Sequence, residues 1–173
     1  MLVDTVTYEE VCMCSAALAN FFIQKAKEED IELSNLKLQK LMYIGYGWTL
    51  ALTGRDLTDG EGFQAWKHGP VSPTVYHQLK RYGSGAIQEK AFEFDEELGL
   101  YYPNVNSPEN IQVLTKVWDI YKSFSAWSLR CLTHEDGTPW KAVFDPTGMY
   151  TEIPVSLVDQ FYTNEIKGML GSA

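Results

Sequence analysis

Residues 34 to 54 read SNLKLQKLMYIGYGWTLALTG and spell out one helix from cap to stop. Ser34 precedes the run as an N-cap, and Leu38, Leu41, Gly45, Trp48 and Leu52 recur at spacings of three and four. Met42 and Leu36 flank that stripe, and Gly54 follows as the stop. Gly45 and Gly47 each cost about 1 kcal/mol relative to Ala inside a helix, so a neighbouring element is expected to pack closely against them. The run is therefore predicted to be the central helix, with the rest of the chain arranged round it.

On the N-terminal side, Thr7 and Glu10 read as a capping box that starts a first helix. Val11, Cys14, Leu18, Phe21 and Phe22 form its stripe, Lys25 and Lys27 complement its macrodipole, and Glu28-Glu29-Asp30 ends it. On the C-terminal side, residues 60–71 break the helical period. Gly60, Gly62, Gly69 and Pro70 bracket a loosely alternating Phe63–His68 that reads as a short strand. Ser72-Pro73 starts a third helix with Val75, Tyr76, Leu79 and Tyr82 inward and Gly83 as its stop.

The pattern is weakest over 84–106. Ala91 to Phe94 fits strand or helix, and Gly99 and Pro103 fit loops or a small hairpin with Tyr101-Tyr102. Ser107-Pro108 opens a strong helix carrying Ile111, Leu114, Val117, Trp118, Tyr121 and Phe124. Ser125 caps another through Trp127, Leu129 and Leu132 to Thr133, Thr138-Pro139-Trp140 starts a short one, and Pro154 or Ser156 opens the last. The expected fold is mainly α: a single compact helical domain with a small β-hairpin or short strands in the middle, around 60–71 or 90–103. Nothing repeats at a fixed period, and no linker divides the chain.

A chain of 173 residues suits one domain, and a core of that size needs neither metals nor disulfides to hold it. Hydrophobic residues at 45% and charged residues at 21% exclude disorder, collagen and coiled-coil arrays as descriptions of the whole. Five Trp and ten Tyr exceed what such a core must absorb, which places some at a groove or interface. Fourteen Lys and Arg against 23 Asp and Glu leave a net charge of −9. That balance lacks the cationic excess nucleic-acid binding requires and favours a protein partner with a basic patch. Cys12, Cys14 and Cys131 lack metal-ligand spacing and read as buried, reduced thiols. With no leader and no apolar run near ~18 residues, the expectation is a cytoplasmic protein without membrane attachment.

Enzyme signals are poor. His68, His77 and His134 form no H-E-x-x-H, and there is no Walker loop, nucleophile elbow or G-x-G-x-x-G. Cys131 and His134 share a helical spacing, yet a packed Cys explains that pair more simply, and His134-Glu135-Asp136 reads as a solvated turn. No catalytic residue, metal site or cofactor is assigned. One segment stands out, Trp66-Lys67-His68-Gly69-Pro70-Val71-Ser72-Pro73-Thr74-Val75-Tyr76. A Gly-Pro turn flanked by Trp, Lys, His and Tyr has the composition of a binding hot spot. The competing reading is a packed turn whose Trp66 and Tyr76 fill the core.

Four segments together resemble a known family. Leu36-Lys37-Leu38-Gln39-Lys40-Leu41-Met42-Tyr43 resembles its L-K-L-Q-K-L-L-Y helix, with Met42 where Leu is usual and Ile44 where an aromatic is common. Ala65-Trp66-Lys67-His68-Gly69-Pro70-Val71 with Val75-Tyr76 resembles A-W-x-x-G-P-V…V-Y. Leu132-Thr133-His134 with Pro139-Trp140 resembles L-T-H…P-W, and Ile153-Pro154 with Phe161-Tyr162 resembles the closing I-P…Y helix. On these motifs the chain is similar to the Panacea domain of SocA-like antitoxins, often labelled phage-associated proteins. The matches run in order from about residue 8 to 166, and the expected organisation is one domain over 1–173 with that stretch as its core.

What the resemblance implies is an antitoxin that neutralises a cognate toxin by direct binding and is not an enzyme. The alternatives are a proteolytic adaptor that delivers a toxin to a protease, and a small phage- or genomic-island-associated enzyme. A homo-oligomer is compatible with either binding role. The expected binding surface is the turn Trp66, Lys67, His68, Gly69, Pro70 and Val71, with Tyr76, His134 and Trp140 nearby. Its rival keeps Trp66, Tyr76 and Trp140 as pillars of the core.

Overall fold

In the computed structural model, which describes residues 13–171, the Ser34–Gly54 run is the axis of the molecule. Helix α2, Asn35–Thr53, starts where the Ser34 side chain accepts the Lys37 amide and stops at Gly54, whose φ of +67° is left-handed. From Asn35 to Leu50 every residue but Leu36 is buried. α1 (Ser15–Glu28), α4 (Pro108–Tyr121), α5 (Ala126–His134) and α7 (Val155–Gly171) pack round it. Both internal glycines meet neighbours as expected. A Cβ at Gly45 would sit 2.7 Å from Leu114 Cδ2 and 3.0 Å from the Phe22 ring, and one at Gly47 would overlap the Tyr162 ring. The expected single stripe is corrected by this all-round burial: Leu52, read as inward, is 46% exposed.

Among the described residues, two small antiparallel sheets complete the expected mainly α domain. β1 (Phe63–Trp66) lies between β2 (Gly69–Val71) and β5 (Thr151–Ile153), with Trp66 opposite Gly69 and Phe63 opposite Ile153. Among the described residues, β3 (Glu93–Asp95) and β4 (Gly99–Tyr101) pair only with each other. Both anticipated β regions are thus present. β5 went unread because three residues are too few to show a period.

The capping serines and threonines work largely as read: Ser107, Ser125 and Thr138 each accept an amide of the first turn of α4, α5 and α6 (Pro139–Val143). Ser72 is a correction. It precedes α3 (Pro73–Leu79) without a side-chain cap bond, and its hydroxyl reaches Glu61 at 3.4 Å instead. α1 starts later than read, because Cys14 is its extended N-cap and its Sγ accepts from the Ala17 amide at 3.4 Å. Thr7, Glu10, Val11 and Cys12 lie outside the described residues. Phe124 falls beyond the end of α4, and Cys131 is exposed rather than buried.

The 91–103 excursion is held at both roots by one buried side chain. Asn20 donates to the carbonyls of Ala91 and Pro103, each at 2.8 Å, and accepts the Ala91 amide at 2.8 Å. A buried amide with every bond made is stabilising, whereas an orphaned one is costly, so Asn20 fixes where the hairpin leaves the body. No helix among the described residues is long and apolar enough to cross a membrane.

Candidate interaction site

The β1–β2 hairpin turns at Lys67-His68 and carries most of the residues singled out by sequence. Its polar atoms are gripped from three sides. From α2, Lys40 Nζ donates to the Pro70 carbonyl at 2.7 Å and Gln39 Oε1 accepts the Ser72 amide at 2.8 Å. Asn35 Nδ2 donates to the Tyr76 carbonyl at 3.3 Å, while Asn35 Oδ1 accepts from Gln39 Nε2 at 3.2 Å. From α6, Trp140 Nε1 donates to the Trp66 carbonyl at 2.8 Å. From α5, His134 Nε2 lies 3.3 Å from the Lys67 carbonyl. Gly69 has φ +108° and no room for a side chain, since a Cβ would lie 2.7 Å from Lys40 Cε and 2.9 Å from Thr133 Oγ1.

Burial divides the nine expected residues. Gly69, Pro70, Val71 and Trp140 are buried, Lys67 and His68 are exposed, and Trp66, Tyr76 and His134 are half-buried. The structure brings all nine into one neighbourhood. The Trp66 ring stacks on Tyr150 with centroids 4.5 Å apart and meets Tyr76 edge-on at 4.9 Å. Trp140 is sandwiched between His134 at 3.7 Å and Phe144 at 4.5 Å.

Two clefts open on either side of Trp66 and Lys67. The first, of 470 Å³, is lined by Trp66, Tyr76, Tyr150, Lys40, His68 and Lys80, with no carboxylate among its described lining residues. The second, of 600 Å³, is bounded by Arg130, His134, Trp140, Phe144 and Met149, with Asp145 the one acid among its described lining residues. The site is therefore locally cationic in a chain whose net charge is −9. That sign is opposite to the one a basic partner patch would seek here.

Electrostatics mark Lys40 as the unusual group. It is fully buried, and desolvation, helped by the charge of Arg130, pushes its amine down to about 7. His134 is held below the ordinary histidine value chiefly by desolvation, which outweighs its ring contacts with the Arg130 and Lys67 carbonyls. A neutral ring can donate to one of the two carbonyls, Arg130 at 2.7 Å from Nδ1 or Lys67 at 3.3 Å from Nε2, and only the imidazolium donates to both. His68 is lowered by desolvation first, then by Arg130, Lys67 and Lys40. No group of three or more His, Cys, Asp or Glu suited to a metal occurs among the described residues.

Sequence reasoning overlooked Lys40, Gln39, Asn35, Arg130 and Tyr150. The first three carried a signal: polar side chains set among Leu38, Leu41 and Met42 in a helix with no polar face. A polar group in such a setting needs a partner, and the hairpin backbone is that partner.

A helical domain whose central helix hydrogen-bonds a Gly-Pro hairpin, braced by His and Trp from two further helices, unites three separate sequence signatures in one structural unit. Residues 38–141 match the family described as "Antitoxin SocA-like, Panacea domain", and the chain belongs to this family. Over 147 residues it is 33% identical to Antitoxin SocA of Caulobacter vibrioides (strain NA1000 / CB15N), a match covering 83% of this chain and 77% of that protein. No solved structure matches it.

Proposed function

We propose that this chain is an antitoxin that neutralises a cognate toxin by direct protein–protein contact, with no catalytic chemistry of its own. The carrying observation is the 33% identity to Antitoxin SocA across 83% of the chain. The roles of the polar residues agree with it. His134 is occupied as a brace, its ring nitrogens facing two backbone carbonyls and its face against Trp140, which leaves little freedom for proton transfer.

Within the expected surface, Gly69, Pro70, Val71 and Trp140 hold the hairpin from beneath, while Trp66, Lys67, His68 and Tyr76 are the part a partner can touch. The backbone there is already ordered, so contact costs little additional entropy. Lys67 and His68 supply donors to partner carbonyls or carboxylates, and the Trp66–Tyr150 stack supplies area.

Co-expression with the product of the adjacent reading frame tests this reading. The expected result is a stable complex and restored growth with toxin levels unchanged. Toxin that disappears only in cells containing a particular protease would replace direct neutralisation with the adaptor role. Absence of both complex and rescue would refute the reading for that partner.

A further inference from the structure

The β3–β4 hairpin turns its apolar side to water. In its register Phe94 lies opposite Leu100, while Glu93 lies opposite Tyr101 on the other face. Extending the alternation by one residue places Phe92 and Tyr102 beside the Phe94–Leu100 pair. All four are exposed: Phe94 by 72%, Tyr102 by 54%, Leu100 by 53% and Phe92 by 37%. The half-buried pair is Glu93 and Tyr101. A hairpin resting on a core normally buries its apolar face and shows water its polar one. Here the order is reversed.

Fraying does not account for this exposure, because the roots are fixed. Asn20 binds the backbone of Ala91 and Pro103, and the Gln78 side chain exchanges two 2.9 Å hydrogen bonds with the backbone of Phe92. At the tip, Asp95 Oδ1 accepts the amides of Glu97 and Leu98 at 2.8 and 2.9 Å. The apolar face is thus held in a set orientation, and β3 and β4 pair with no other strand among the described residues. An isolated two-stranded sheet is marginal in water and gains most from a surface laid against it.

Charge selects the occupant. Between Ala91 and Asn106 there are four carboxylates, Glu93, Asp95, Glu96 and Glu97, and no Lys or Arg. Glu93 and Asp95 alternate to the other face, but a second copy laid on the apolar face would bring the turn carboxylates Glu96 and Glu97 into the field of the same acidic hairpin, a like-charge arrangement that opposes association. We propose that the β3–β4 hairpin is a docking surface for a cationic protein partner, whose apolar pockets take Phe94 and Leu100 while flanking Lys or Arg meet Glu96 and Glu97. This rests on the antitoxin reading and supplies the acidic counterpart that the cationic Trp66 clefts lack.

The test uses the full chain and, as probe, the protein encoded by the adjacent reading frame. F94S/L100S replaces only exposed side chains, so its melting curve and the exchange of the Ala91 amide stay as in the parent chain. Its affinity for the probe is expected to fall about tenfold or more. E96K/E97K is expected to slow association and flatten its salt dependence while dissociation changes little. Parent-like binding by both variants overturns the hairpin proposal and leaves the antitoxin reading standing. A dimer of the parent chain that F94S/L100S dissolves also overturns it, assigning the face to a second copy. Failure of the parent chain both to bind the probe and to rescue growth overturns the reading and the proposal together.

Discussion

Gly47 and Lys40 lie on the same helix and oppose its propensities in different ways. Replacing Gly47 by Ala gains about 1 kcal/mol of helix propensity. Tertiary contact outweighs that gain, because the new Cβ would enter the ring of Tyr162, itself buried. G47A is expected to lose on the order of 1–3 kcal/mol by urea denaturation, with an unchanged m-value. G45A should cost less, because its nearest clash is the far end of Leu114. Lys40 gives a pH signature. Its folded value of about 7 lies below the ordinary 10.5, so between them the unfolded chain binds the extra proton. Stability therefore rises with pH across that window, by on the order of 1 kcal/mol per unit at most, and the charge penalty is fully present below 7. K40M should flatten the slope between pH 7 and 9, a range below the tyrosine titrations, in denaturation curves taken at fixed ionic strength. An unchanged slope in K40M would assign the effect elsewhere.

The β1–β2 hairpin shows how one element depends on others. Its strands contribute seven residues, too little apolar area for independent stability, and its backbone groups are satisfied by side chains of α2, α5 and α6. Q39L removes the acceptor of the Ser72 amide while keeping bulk. The expected cost is about 1–3 kcal/mol, with faster hydrogen exchange at Ser72 than at amides within α4. A uniform rise across all elements would mean that the hairpin opens only with the whole fold. Of the expected binding turn, Lys67 and His68 were legible as surface from their charge and polarity, whereas Trp66 and Tyr76 fitted core or surface equally and are half-buried. The buried half was not, because Gly69, Pro70 and Val71 are small and turn-like in any setting; it took tertiary contact, such as Lys40 and Thr133 against Gly69 and Lys40 on the Pro70 carbonyl, to make them interior.

At the scale of the molecule, binding and stability should separate at the Trp66 site. K67E with H68A alters exposed groups and is expected to leave the melting temperature within about 2 °C of the parent while weakening capture of the adjacent-frame product. W66A removes the ring stacked on Tyr150 and packed against Tyr76, so it is expected to destabilise as well as weaken binding. If the polar pair binds as the parent does while W66A unfolds, the turn is scaffold and the partner docks elsewhere. Net charge supplies a further check. With −9 on the chain, association with a cationic partner should slow as salt shortens the Debye length from roughly 30 Å at 0.01 M to 8 Å at 0.15 M.

Period, caps and glycine placement in the sequence were enough to establish a mainly helical chain with α2 at its centre, because helical spacing and capping are local chemistry expressed over a few residues. The same local logic located both β regions and marked Gly45 and Gly47 as close contacts. Local patterns do not reveal which side of a short strand faces the body. The β3–β4 pair alternates equally well either way up, and the anchoring by Asn20 and Gln78 leaves Phe94 and Leu100 in water. Nor do they reveal the sign of a local field. A chain with 23 acidic and 14 basic residues reads as acidic throughout, yet folding gathers Lys40, Lys67, Lys80 and Arg130 from separate segments round Trp66. Those contacts join residues far apart in sequence, so their consequences arise only when the helices close round α2.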